Sequence, residues 1–157
     1  MVAKNGIMRW ILSPILIGII FWFTDGLLSY CGGILSTKAW IITKTIALPA
    51  VSIVVLLAVV RKGGFSPNVI PALSFLGVIG VWVLGPFYLV AMAFIFGKGF
   101  TLMELKSFLW VMIYLPMSTI EVSGYSGAFF GLILTSIVLP IAGMIIGSKL
   151  EKKNKHL

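Results

Sequence analysis

The sequence predicts an all-α integral membrane protein: a bundle of four or five proline-bent transmembrane helices with its carboxyl terminus in the cytoplasm. Three observations carry that reading. Hydrophobic residues make up 60% of the chain and charged residues only 10%, against the ~25% charged usage of soluble domains. The apolar residues gather into five stretches, most of them long enough to cross the ~30 Å hydrocarbon core of a bilayer. Each stretch has one proline in its body, at Pro14, Pro49, Pro86, Pro116 and Pro140, where the ring removes a backbone hydrogen bond and favours a bend. A chain of 157 residues holds no more than this, since a spanning helix with its connection takes roughly 25 to 35 residues. The organisation expected is one transmembrane domain over residues 1–148 and a short basic cytoplasmic tail over 149–157.

The first segment runs from Trp10 to about Thr24 and meets Asp25-Gly26, after which a weaker apolar stretch continues to Leu35. Two endings are open. The helix stops at Asp25 and Ser29 to Ser36 form a loop, or one long helix carries Asp25 within the membrane. Leu28-Ser29-Tyr30-Cys31-Gly32 matches a lipoprotein cleavage site only in part. Tyr30 is too large for the position before the cysteine, so the first segment is expected to stay in the mature protein.

Segment two, Ala39 to Val60, is closed by Arg61-Lys62, and Gly63 to Asn68 read as a turn. Asn68 is placed to cap the next helix, with Pro71 tolerated in its first turn. Segment three, Val69 to Phe96, would measure ~42 Å as a straight helix and is expected to tilt or to break at Gly85-Pro86. Thr101 and Glu104 have capping-box spacing, so a helix is expected to start there. Its uncharged body, Phe108 to Met117, is short; extended from Leu105 to Val122 it just spans. Segment five runs from Gly127 to Gly147.

Charge fixes one end of this topology. With four spans, Lys4, Arg9, Arg61, Lys62, Lys149, Lys152, Lys153 and Lys155 lie inside and Lys38, Lys44, Lys98 and Lys106 outside, eight to four. With five spans, the first four of the inner group exchange sides with the outer four, and the ratio is unchanged. The excess of Lys and Arg on cytoplasmic loops therefore places the carboxyl terminus inside in both cases and leaves the number of spans open.

The net charge of +8 does not point to nucleic acid, because the basic residues sit at segment ends and form no stripe with interleaved aromatics. A single cysteine, Cys31, excludes an intramolecular disulfide and a cysteine-based metal site. His156, the only histidine, lies in the terminal tail, a poor place for general-base geometry. With no nucleophile beside a base, no metal-ligand cluster and no phosphate-binding glycine loop, the expectation is a non-enzyme without metal or cofactor.

Four acidic residues are present, Asp25, Glu104, Glu121 and Glu151. Glu104 has the capping role and Glu151 stands among tail lysines. An ionisable group at membrane depth costs roughly 2.5 to 3.5 kcal/mol on insertion scales and marks a functional site by default, so Asp25, Lys44 and Glu121 form the candidate polar site. The competing reading ends helix one at Asp25, puts Glu121 at a segment mouth and lets Lys44 snorkel to the headgroups. Gly127 with Gly131, and Gly143 with Gly147, have the GxxxG spacing of close helix packing. Gly127 and Gly143 fall about 160° apart on an ideal helix, so segment five is expected to pack on two neighbours.

For function, a proline in every segment and the three ionisable residues favour permeation or transport of a small solute or ion, since backbone groups freed in broken helices are tolerated where they line a cavity or are buried. So short a chain is expected to act as a homo-oligomer or with another integral membrane subunit, in the plasma (inner) membrane. The alternative is a non-transporting accessory, assembly or immunity-type protein of a larger membrane complex. Substrate and partner have no signature in the sequence.

Overall fold

The computed structural model describes residues 2–31, 36–95 and 125–155. Among these, four helices are long and apolar enough to cross a membrane, and there is no strand. They are α1 (Val2–Cys31), α2 (Thr37–Gly63), α3 (Ile70–Ile95) and α4 (Tyr125–Lys155), with a single 3-10 turn, Pro67–Val69, ahead of α3.

Each helix is continuous through its internal proline, Pro14, Pro49, Pro86 or Pro140. Of the tilt or break expected of segment three, a break at Gly85-Pro86 is absent: α3 continues to Ile95. Likewise α1 does not stop at Asp25 but carries it within the helix to Cys31. The α2 helix ends where Arg61-Lys62 suggested, closed by Gly64 at φ 60°, a left-handed conformation that glycine adopts without penalty. Asn68 lies inside the 3-10 turn and is not the cap. Ser66 occupies that position, and Pro71 does fall in the first turn of α3. The α4 helix continues past the apolar stretch, so Lys149, Lys152 and Lys153 are carried on a helix. Segment four, with Pro116, Thr101, Glu104 and Glu121, lies outside the described residues.

Helix directions follow from the points of contact. Along α1 and α3, a Cβ at Gly80 would overlap the Pro14 carbonyl, one at Gly85 would lie 2.9 Å from the Trp22 ring, and one at Gly26 would lie 3.0 Å from the Tyr88 hydroxyl. Positions rise together, so these helices are parallel. The same holds for α2 and α4, where Gly127 faces Lys44 and Gly131 faces Leu48. By contrast α3 and α4 are antiparallel, with Gly147 against Pro67, Gly143 against Ser74, and Trp82 Nε1 donating to Ser136 Oγ at 3.0 Å. Finally, Arg9 Nη1 donates to Gly63 O at 3.0 Å, tying the start of α1 to the end of α2.

The helices thus form a ring in the order α1, α2, α4, α3, alternating in direction along the chain, with α2 and α3 on a diagonal. Antiparallel α3 and α4 match the alternation of the four-span reading, and the stretch between them, 96–124, lies outside the described residues.

Packing is close because glycines meet backbone. At the α1–α3 crossing a Cβ on Gly18 would lie 2.6 Å from Leu84 Cδ1 and 2.7 Å from Gly80 O, so the two backbones come close, the contact small residues permit. The interior around it is filled by Ile17, Phe21, Leu48, Leu56, Leu73, Leu132 and Leu139. Ser13, Ser52 and Thr135 are buried among them, each hydroxyl donating to the carbonyl four residues back at 2.6–2.9 Å, which satisfies it without water. Large apolar side chains such as Ile19, Phe23, Ile46, Val54, Phe75, Phe87 and Ile137 cover the outside. The two GxxxG pairs of α4 use separate neighbours, Gly127 and Gly131 facing α2, Gly143 and Gly147 facing α3. Gly143→Leu is therefore expected to destabilise the folded bundle by about 1–3 kcal/mol through overpacking against Ser74, measurable as a lower unfolding temperature in mild detergent.

Candidate functional site

Four helices converge on one buried ion pair. Lys44 Nζ lies 2.8 Å from Asp25 Oδ1, joining the last turns of α1 to the first turns of α2. Lys44 is 2% exposed and Asp25 5%. Along α1 the pair falls inside the apolar stretch: that stretch is Gly6–Cys31, and at 1.5 Å per residue Asp25 lies about 10 Å from its midpoint.

Local periodicity builds the rest of the site. Ser29 stands one turn beyond Asp25 on the same face of α1, and its Oγ accepts from Lys44 Nζ at 2.6 Å. Trp40 stands one turn before Lys44 on α2, and the ammonium lies 5.4 Å from its ring centroid, within cation–π range. The Tyr88 hydroxyl, on α3, hydrogen-bonds to the Asp25 carboxylate. It gets there because residue 26 is glycine, since a Cβ would meet that hydroxyl at 3.0 Å. Tyr88 is steadied from the side by Trp22, stacked at 5.1 Å and 26°, whose Nε1 donates to Val81 O at 2.7 Å.

The fourth helix contributes space. A Cβ on Gly127 would lie 2.9 Å from Lys44 Cβ and 3.2 Å from its Cδ, so the lysine stem occupies the volume a side chain there would take. The first GxxxG of α4 is therefore part of the site's construction as well as a packing device.

Electrostatically the site is a paired charge in an apolar shell. A lone buried charge costs several kcal/mol, and attraction to a close partner offsets this only with good geometry and further hydrogen bonds. Ser29 and Tyr88 supply such bonds, one to each ion. Lys44 acts on the Asp25 carboxylate both by its charge and as a hydrogen-bond donor, although Oδ1 itself, buried, has no donor in hydrogen-bond geometry. A carboxylate held this way can accept a proton or a small cation if Lys44 moves aside. Two further contacts of the lysine, Ser29 and Trp40, lie toward the same end of the bundle, and Ser29 is exposed there.

Of the residues singled out from sequence, Asp25 and Lys44 are brought together, and Glu121 lies outside the described residues. The head of Lys44 is buried against Asp25. Ser29, Tyr88, Gly26 and Trp40 were not among the sequence candidates for this site. The i, i+4 spacings of Asp25 with Ser29 and of Trp40 with Lys44 are visible in the sequence, whereas the approach of Tyr88 depends on α1 and α3 being parallel. No cluster of three or more His, Cys, Asp or Glu residues occurs among the described residues. Comparison with protein-family models, with curated proteins and with solved structures finds no match for this chain.

Proposed function

We propose that the bundle is inserted in the plasma membrane, carboxyl terminus inside, and permits passage of protons or a small cation, with Asp25 as the binding group and Lys44 as its displaceable counter-ion. The observation that carries the reading is the buried Asp25–Lys44 pair, because ionisable residues at membrane depth face the bundle interior, pair with one another and mark ion pathways.

Insertion is supported by the outward apolar side chains together with polar groups turned inward. Orientation is supported by charge. Arg9, Arg61, Lys62, Lys149, Lys152 and Lys153 sit at the end of the bundle away from the pair, and Lys44, buried and neutralised, no longer counts as an outer-loop charge. The Asp25–Lys44 site then lies in the outer half of the bilayer. In the resting arrangement Lys44 fills the cation position itself. An entering proton or cation neutralises Asp25, and the ammonium keeps Ser29 and Trp40 as partners nearer the outer surface. Four helices surround little volume, so a homo-oligomer or a second membrane subunit completes the path.

In the accessory-subunit alternative small-residue faces are one of the features that would capture a partner; both GxxxG faces of α4 are filled from within the chain, so neither is open as such a seam.

Purified protein in liposomes carrying an internal pH-sensitive or cation-sensitive dye tests the proposal. Wild-type vesicles should dissipate an imposed proton or monovalent-cation gradient faster than empty vesicles. Equal rates for protons and for every monovalent cation tried would remove the proposal.

A further inference from the structure

We propose that the end of the bundle opposite the ion pair is a binding surface for anionic phospholipid headgroups. The inference uses insertion in a bilayer and is independent of permeation.

Three helix ends build the surface. Arg9 Nη1 donates to Gly63 O, which holds the guanidinium against the last turn of α2, where Arg61 and Lys62 are exposed. On α4, Gly147 packs on Pro67 in the turn that follows α2, so the next turns, with exposed Lys149, Lys152 and Lys153, emerge beside the same end. Glu151 is the only acidic residue among the described residues there, and it has a partner of its own. Because α4 stays helical to Lys155, these lysines are carried at fixed angles.

A headgroup phosphate fits better than free phosphate for a second reason, the apolar side chains next to the charges. Met8 and Ile11 are exposed in the same turns of α1 as Arg9, and Met144 and Ile145 are exposed in the turn of α4 before Lys149. A molecule meeting both strips needs an anionic head and a hydrocarbon tail. Basic residues near a membrane surface attract anionic lipid with about 1 kcal/mol each, or roughly fivefold in affinity per charge.

The test is native mass spectrometry of the intact chain in mild detergent, titrated with phosphatidylglycerol or phosphatidylcholine. Wild type should keep phosphatidylglycerol adducts under activation that strips phosphatidylcholine. The exposed-site variant K149Q/K152Q/K153Q should lose most of that preference, about tenfold or more, and R61Q/K62Q a smaller part, with unfolding temperatures unchanged as a check on folding. Equal retention of the two lipids by wild type, or a preference that survives both sets of substitutions, would overturn the proposal. So would displacement of phosphatidylglycerol by excess inorganic phosphate, since the surface would then recognise the free anion.

Discussion

Lys44→Met is expected to cost about 3–5 kcal/mol, enough to unfold much of the protein in detergent, because it leaves the Asp25 carboxylate buried without its counter-ion. Asp25→Asn, which strands the ammonium instead, should fall in the same range. The double substitution D25N/K44M should recover most of the loss. Methionine matches the lysine stem in the space left by Gly127, and asparagine can still accept from Tyr88. Replacing a buried pair by neutral groups of similar volume is often close to neutral. A chemical-denaturation cycle over the four proteins measures this, and the expected signature is a coupling energy of several kcal/mol between positions 25 and 44. If each single variant unfolds like wild type, the pair is solvated and the site described above does not exist.

Gly80→Leu is expected to have the other large effect. Its first added carbon would overlap the Pro14 carbonyl, a backbone atom that cannot rotate away as a side chain can. The parallel α1–α3 contact would have to open, moving Gly18, Trp22 and Tyr88 with it. Overpacking of an ordinary core costs 1–3 kcal/mol, and the backbone contact places this substitution at or above the upper end of that range. Unfolding of the purified variant by increasing SDS in mild detergent would show it. Gly6→Leu is the control, since nothing lies within 4 Å of a Cβ at that position, and it should be neutral.

Hydropathy and length made the helices readable, because the solvent imposes them: apolar stretches of spanning length announced α1, α2, α3 and α4 before any contact was known. Turn chemistry was readable at Gly64, where positive φ favours glycine. The GxxxG register of α4 was readable as two faces, since helical periodicity alone sets that angle; the neighbours on those faces, α2 and α3, are tertiary information. Three features depended on tertiary structure. Asp25-Gly26 looks like a helix end in isolation, and only the arrival of Lys44 and Tyr88 explains why α1 continues through it. Gly18 and Gly80 form no GxxxG with each other, being on different helices, so their contact had no sequence signature. The relative direction of α3 and α4 was hidden because exchanging four charges between the two sides leaves their ratio the same, and only the contacts of Gly143, Gly147 and Trp82 reveal it. The ring order also shows why the site draws on all four described helices. Alternating directions bring the end of α1, the start of α2, the later turns of α3 and the start of α4 to one level, where Asp25, Lys44, Tyr88 and Gly127 meet.

The most direct test of a pathway through the Asp25–Lys44 site is a flux comparison between wild type and the D25N/K44M variant at equal protein density in liposomes, using the ion that wild type passes fastest. The variant removes both charges while keeping the packing, so loss of flux cannot be ascribed to unfolding once denaturation confirms a stable fold. Background-level flux from a folded variant is the predicted result; wild-type flux from the same folded variant would contradict the account and return the pair to a purely structural role.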